Sequence, residues 1–388
     1  MRITHILKTP QIGGIEKTVE NIIMQSKDIE FSAIFTKPLK NQQLVFLPPK
    51  KIKYLNSIFQ ISPFKPHLFY RWIRKYTSLL IYMIMLYRLK PHIVHTHTSD
   101  IYELIDQIRS SSLMKIDVIW TIHTEIRINQ SLFSNLANCL QEFTKNSRKF
   151  VVTYVGSEPP LVKMLQSRKI EVTIYRISGG IHINKFHFQW INNKRKINLR
   201  KVFQNRDVNI GYIGRLSFEK GVDVLIHATL KIMDRYKTVK LFIIGDGPER
   251  KYLNSIVQNS QHKDRVFFLG FILDIKECMG LLDLYVQPSR SETFGISVVE
   301  AMAAGVPVIG SNVGGLPKLI KNMKTGLLFQ CGNVESLQGA ISKMIKSRKL
   351  RITVVTNAYK HVKKFDINKS VNAYYAIYNK MMSNASRH

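Results

Sequence analysis

VNIGYIGRLSFEKGVDVLIHATLKIM, Val208 to Met233, decides how the rest of the chain is to be read. A β-branched run, Val208 to Gly214, ends at a glycine. The polar loop RLSFEKG follows, and from Val222 to about Met233 the apolar residues recur at helical spacing. A strand, a glycine-containing loop and a helix in that order form one α/β unit. The pattern continues downstream. Lys240 to Ile244 reads as a strand, GDGPE as a turn and Arg250 to Gln258 as a helix. Arg265 to Leu269 is a strand and Asp274 to Leu282 a helix. Leu284 to Gln287 is a strand, Ile296 to Ala304 a helix and Pro307 to Gly310 a strand. Short β-branched runs alternating with helices predict a parallel sheet covered on both faces.

The amino-terminal half opens with the same grammar: strand Ile3 to Leu7, then TPQIGG, then a helix from Ile15. Further strands are predicted at Phe31 to Phe35, Ile93 to Thr96, Val118 to Ile122, Phe150 to Val155 and Thr173 to Ile177. The basic stretch NNKRKINLRKVFQNR, Asn192 to Arg206, reads as a linker. The expected organisation is α/β, with one Rossmann-like domain over 1–191 and a second over 192–365. A helical tail, 366–388, is expected to pack back across their junction. At 388 residues and 45% hydrophobic content, the chain is long enough for two cores.

Composition narrows the setting. Cys139, Cys278 and Cys331 are far apart with no C-x-x-C spacing, which argues against a disulfide framework or a zinc site and fits a reducing compartment. The start, MRITHILKTPQIGG, lacks a signal-peptide core, and the longest apolar run, SLLIYMIMLY (Ser78 to Tyr87), is too short to span a bilayer. A cytoplasmic location is expected. The net charge is +32, and no Asp or Glu occurs from Phe31 to Ser99. Such a field attracts nucleic acid, anionic lipid headgroups or phosphorylated substrates. His67 to Leu89 reads either as a core helix with one wet face or as a helix lying on the inner face of an anionic plasma membrane, with Arg71, Arg74 and Lys75 at the headgroups.

Chemistry concentrates in a few stretches. Gly214 to Gly221 presents Arg215 and Lys220 within one turn, two cations suited to a pyrophosphate whose charge grows as it departs. SETFGISVVE, Ser291 to Glu300, places Glu292 ahead of a helix and Glu300 inside it, both able to face a ligand at the helix N-terminus. Gly13 and Gly14, between the first strand and helix, admit a close backbone approach. His95 and His97 in VHTHTSD and His123 in TIHTE lie near predicted strand ends, where doubly wound sheets bind ligands. No further metal ligand clusters with them in the sequence, and no Asp-x-Asp occurs. Neither G-x-G-x-x-G nor a P-loop motif is present, which argues against a dinucleotide-dependent dehydrogenase and a P-loop nucleotidase.

GGIEKTV, VHTHTSD, TIHTE, GYIGRLSFEKG, LFIIGDGPE and SETFGISVVEAMAAGVPVIGSNVGGLPKLI together resemble the retaining glycosyltransferases of the two-Rossmann-domain (GT-B) type, family 4, also called glycosyl transferase group 1. The resemblance implies two domains facing each other across a cleft. The second would hold a nucleotide-diphosphate sugar and the first an acceptor, with no metal or other cofactor. Glu300 would bind the ribose hydroxyls. Glu292 would bind the donor sugar, with the backbone N–H groups of Phe294, Gly295 and Ile296 nearby, while Arg215 and Lys220 take the diphosphate. Gly14 would approach the donor, and His123 would point at its sugar; His97 and Gly13 are acceptor-side candidates. Catalysis would rest on His123, Arg215, Lys220 and Glu292. One departure stands out: the family's usual Pro-Asn-Gly-Ile/Val-Asp between domains is here Ser178-Gly179-Gly180-Ile181-His182.

The basic first half and the resemblance together point to a lipid-linked or saccharide acceptor in capsule, exopolysaccharide or O-antigen assembly. Two other readings stand beside this one. The first is a nucleic-acid or anionic-surface binding protein on a degenerate GT-B fold, although no zinc knuckle, RNP-type aromatic motif or basic zipper appears. The second is a sugar phosphorylase, which would normally carry a pyridoxal cofactor that no residue here argues for.

Overall fold

A computed structural model describes residues 1–7, 14–26, 28–36, 52–55, 68–123, 126, 128–146, 148–156, 158–168, 170–186, 208–272 and 274–383, with the backbone alone for 14–17, 52–55, 68–78 and 277. The chain divides into two compact units: Met1–Ser178 with Lys369–His388, and Gly179–Asn368. The linker expected at Asn192 to Arg206 lies outside the described residues, as does the 191/192 boundary. Residues 179–186 group with the second unit.

Unit 1 runs β1 (Arg2–Leu7), α1 (Gly14–Gln25), β2 (Glu30–Phe35), β3 (Ile52–Leu55), α2 (Leu68–Leu89), β4 (Ile93–Thr96), α3 (Ile101–Leu113), β5 (Asp117–Ile122), α4 (Gln130–Lys145), β6 (Phe150–Val155), α5 (Pro160–Ser167) and β7 (Thr173–Ile177). Its strands form one parallel sheet in the order β3-β2-β1-β4-β5-β6-β7. Side chains on both faces of β1 beyond Arg2 and of β4 are buried, the polar Thr4, His5, His95 and Thr96 among them, as in a parallel sheet covered on both sides. Trp120, Phe133 and Phe143 anchor the core, each buried large side chain being worth about 1.5–3 kcal/mol. Asp100 caps α3 by accepting from the N–H groups of Tyr102 and Glu103, so that helix starts where β4 has just delivered its histidines.

Unit 2 runs β8 (Val208–Ile213), α6 (Val222–Arg235), β9 (Val239–Ile244), α7 (Arg250–Gln258), β10 (Val266–Gly270), α8 (Ile275–Met279), β11 (Leu284–Gln287), α9 (Ile296–Ala303), β12 (Val308–Ser311), α10 (Leu316–Leu319), β13 (Leu327–Phe329), α11 (Val334–Lys346) and α12 (Arg348–Val362). The parallel order is β10-β9-β8-β11-β12-β13. The helix expected over Asp274 to Leu282 stops at Met279, where Gly280 ends it and Leu281 and Leu282 turn into β11. The tail is α13 (Ile367–Ser383), whose Tyr378 hydroxyl lies 2.7 Å from Nδ1 of His95 in unit 1. Among the described residues no helix is long and apolar enough to cross a membrane.

Candidate functional site

In each sheet the chemistry collects where strand order reverses. In unit 2 the chain leaves β8 toward β9, while β11 pairs on the other side of β8. Loops at the carboxyl ends of such strands flank the crevice in which doubly wound sheets bind ligands. The loop after β8 carries Arg215 and Lys220, and the loop after β11 carries Glu292.

These two loops are fastened to each other. Gly221 sits at φ +63° just before α6, and a Cβ there would lie 2.2 Å from the Pro288 carbonyl oxygen, so only glycine allows the approach. From the β11 side, the Arg290 guanidinium forks onto Asp223 at 2.8 and 2.6 Å, donates to the Phe218 carbonyl at 3.0 Å and stacks 4.4 Å from the Phe218 ring centroid. The Arg290 N–H also donates to the Glu219 carbonyl at 2.8 Å. Burial alone would raise the Asp223 pKa, but the forked hydrogen bonds and charge of Arg290 outweigh it and hold the carboxyl below its ordinary value.

The result is a direct contact. Lys220 Nζ lies 2.9 Å from Glu292 Oε2, both side chains being largely buried. Gln287 Nε2 and Ser289 Oγ lie 3.4 Å from the same oxygen. A third loop supports Glu292 from the end of β12. Gly314 is at φ +51°, its Cβ position 1.9 Å from the Glu292 carbonyl oxygen, and the Gly315 N–H donates to that oxygen at 2.8 Å. Arg215 is exposed, 3.7 Å from the Glu219 carboxylate on its own loop.

Gly295, at φ +95°, opens α9 without a side-chain cap. Among the described residues the backbone N–H groups of Phe294, Gly295 and Ile296 donate to nothing, leaving three orphan donors of a helix start beside the Lys220–Glu292 pair. Glu300, in the second turn of α9, is buried. Tyr285, whose hydroxyl donates to Gln287, is pushed well above its ordinary value by burial and then Tyr212, against a lowering hydrogen bond with Ser297 and with smaller pushes from Glu292 and Glu300. Phe294 is buried 5.7 Å from Phe365, and its ring occupies the space that a Cβ on Gly179 would need. The altered Ser178–His182 segment therefore has a packing reason for its first glycine.

In unit 1 the reversal falls between β1 and β4, where His5 and His95 are register partners. His97 follows β4 and His123 follows β5. His5 Nδ1 lies 3.0 Å from His97 Nε2, and His97 Nδ1 lies 3.0 Å from His123 Nε2. His95 is held by Thr121 and Tyr378, each at 2.7 Å. His5, His95 and His97 are buried; His123 is half-buried. Burial depresses all four pKa values, His5 to about 3 and His123 to about 4, so each ring is neutral at neutral pH. His-x-His alone suggested no further clustered ligand, yet the sheet adds His5. One nitrogen from each of His5, His95 and His97 then lies within 4.8 Å of the others, the chemistry of a transition-metal ligand set. Gly14 begins α1, and Gly13 lies outside the described residues.

The structure thus brings together Lys220, Glu292 and the α9 start, with Arg215 and Glu300 on the elements that carry them, and it gathers His97 and His123 in the other unit. Sequence reading missed His5, Gln287, Ser289, the Arg290–Asp223 pair and Gly314–Gly315. His5 was open to discovery, since a doubly wound order places the first strand beside the fourth. The others depend on contacts between loops that no local pattern records.

Residues 193–361 match the family model of glycosyl transferases group 1. Over 96% of its length the chain is 27% identical to an uncharacterized glycosyltransferase of Methanocaldococcus jannaschii, covering 96% of that protein. It is 30% identical over 203 residues to a capsular polysaccharide biosynthesis glycosyltransferase of Staphylococcus aureus, 51% of this chain and 52% of that one. Curated relatives at 36% and 34% identity are matched over only 44% and 42% of their own length. A solved Anabaena protein in complex with UDP and glucose has a TM-score of 0.75 at 19% identity, covering 98% of this chain and 99% of that one. At that identity the likeness is one of fold: two Rossmann-like domains, the GT-B architecture.

Proposed function

We propose that this protein is a retaining, metal-independent glycosyltransferase of family 4 that moves a hexosyl group from a nucleoside-diphosphate sugar to an acceptor hydroxyl. The observation that carries this reading is the Lys220–Glu292 contact set against the uncapped start of α9. A cation and three free N–H groups suit a diphosphate, and carboxylates beside them suit sugar hydroxyls. In this reading Glu300 takes the ribose hydroxyls, Glu292 the donor sugar, and Arg215 and Lys220 the diphosphate. The bond from the anomeric carbon to the phosphate oxygen breaks as the acceptor oxygen bonds on the same face, and the acceptor proton passes to the departing phosphate. The protein supplies position and charge stabilisation rather than a carboxylate nucleophile. His123 offers a ring nitrogen to a substrate oxygen, and Gly14 offers close backbone.

The acceptor we infer is lipid-linked or saccharide, in cell-surface polysaccharide synthesis. The acid-free, basic stretch from Phe31 to Ser99 supports it, as does the name of the Staphylococcus aureus relative. Leu80, Ile84 and Tyr87 of α2 are exposed at positions i, i+4 and i+7, an apolar stripe suited to peripheral contact with the cytoplasmic membrane face.

A thermal-shift panel of UDP-, GDP- and ADP-sugars tests the donor reading. One base and sugar should raise the melting temperature in proportion to RT ln(1 + [L]/Kd), unaffected by EDTA, and should support slow hydrolysis. No shift and no turnover with any donor, together with salt-sensitive RNA binding, would replace this reading with the nucleic-acid one. Added to anionic and neutral vesicles, the protein should sediment only with the anionic ones.

A further inference from the structure

His97 uses both ring nitrogens on other imidazoles, Nε2 toward His5 and Nδ1 toward His123, at 3.0 Å each. A neutral imidazole has one N–H and one lone pair, so each of these contacts needs a donor on one side and an acceptor on the other. The three rings therefore cannot choose their tautomers separately: fixing one fixes all.

Two polarities satisfy the chain. In the inward order, His123 Nε2–H donates to His97 and His97 Nε2–H donates to His5, leaving His5 with its own proton on Nε2. That atom is buried and has no partner. In the outward order, His5 Nδ1–H donates to His97 Nε2, and His97 Nδ1–H donates to His123 Nε2. His5 Nε2 is then a bare lone pair. Buried N–H groups without an acceptor are rarer in folded proteins than acceptors left under-satisfied, which favours the outward order.

We propose that His5 and His97 are positioning residues: through an outward-running chain of hydrogen bonds they hold the half-buried His123 with its proton on Nδ1, so that it presents a fixed N–H donor at the carboxyl end of the unit 1 sheet. The donor suits a sugar or phosphoryl oxygen, a use that rests on the glycosyltransferase reading. The chain itself does not. Nor does His97 need to touch a ligand, since it is buried and both its ring nitrogens are engaged. His95 stands outside the chain, its nitrogens taken by Thr121 and Tyr378.

The test is long-range nitrogen–proton NMR on the full chain labelled with imidazole nitrogen-15, with His123 and His97 identified among the 12 histidines through His123→Gln and His97→Asn. Wild-type His123 should show a protonated Nδ1 and a bare Nε2. His5→Phe, which keeps a ring beside Phe31, should leave His123 averaging between tautomers. His5→Asn, which keeps a donor near the Nδ1 position, should restore the single tautomer. In turnover assays His5→Phe should lower kcat about tenfold with donor KM unchanged, on the scale of a weakened positioned donor, and His5→Asn should recover most of it. A protonated Nε2 on wild-type His123 overturns the proposal. So does an unchanged His123 tautomer in His5→Phe, or stoichiometric zinc or copper held by the purified protein and lost in that variant. If no donor sugar is ever turned over, the glycosyltransferase reading fails while the tautomer measurement still decides the chain.

Discussion

Lys220 and Glu292 form an ion pair, so on the proposed donor reading a diphosphate arriving at Lys220 would meet an ammonium already held by a carboxylate. That geometry separates the roles of the acidic and basic residues. Lys220→Ala should lower kcat by about 100-fold, because charge on the leaving phosphate is greatest in the transition state. Glu300→Ala should chiefly raise donor KM, because the ribose contacts proposed for it would serve ground and transition states alike. Steady-state kinetics with the donor found by the thermal screen checks both, and near-normal turnover in the Lys220 variant would remove its assigned role. These residues were legible because each lies in a contiguous loop-to-helix segment whose local geometry the sequence dictates. Gln287 and Ser289 were not, since a Gln at a strand end and a Ser in a loop carry no pattern until Glu292 is beside them.

At the scale of elements, the β-branched strands left the clearest trace. β4, β6, β7 and β11 fall where their β-branched and aromatic runs place them, residue for residue. β3 and β13 were missed, being short edge strands of four and three residues that gain their order by pairing with β2 and β12. The loops between elements carry the sharper test. Arg290 joins the loops after β8 and β11 through Asp223, Phe218 and Glu219, so Arg290→Ala should misplace Lys220 without touching it. A drop in kcat of about tenfold and a stability loss of about 1–2 kcal/mol are expected, on the scale of charged hydrogen bonds lost at a partly buried site. Arg290→Lys should recover little, because an ammonium cannot fork onto Asp223. An Arg290→Ala enzyme with unchanged kcat would show that Gly221 and the backbone hold the loop alone.

At the scale of the molecule, the four clustered histidines His5, His95, His97 and His123 make stability depend on pH. Their folded pKa values lie below the ordinary 6.5, so between pH 6.5 and the folded values the unfolded chain binds more protons. Their contribution is therefore full above pH 6.5 and is lost as pH falls toward the folded values near 3 for His5 and near 4 for His123. For the fully buried His5 alone the loss at pH 5 is about 2 kcal/mol, 1.5 pH units at 1.36 kcal/mol each. Melting temperature should fall from pH 7 to pH 5, before most carboxylates titrate, and the slope should shrink in His5→Phe. A melting temperature flat over that range would show that the rings charge without cost in the folded state.

The sequence by itself determined the strand–loop–helix alternation, the two parallel sheets and the residues offered at their carboxyl ends, because buried strands and helix starts impose their requirements within a few neighbouring positions. Only the tertiary structure decided which of those residues meet. The Lys220–Glu292 contact spans 72 positions and the His5–His97 contact spans 92, distances set by the order in which strands pair rather than by local preference. Strand order follows from the packing of whole helices onto whole sheet faces, and that packing is written in no single stretch of the chain.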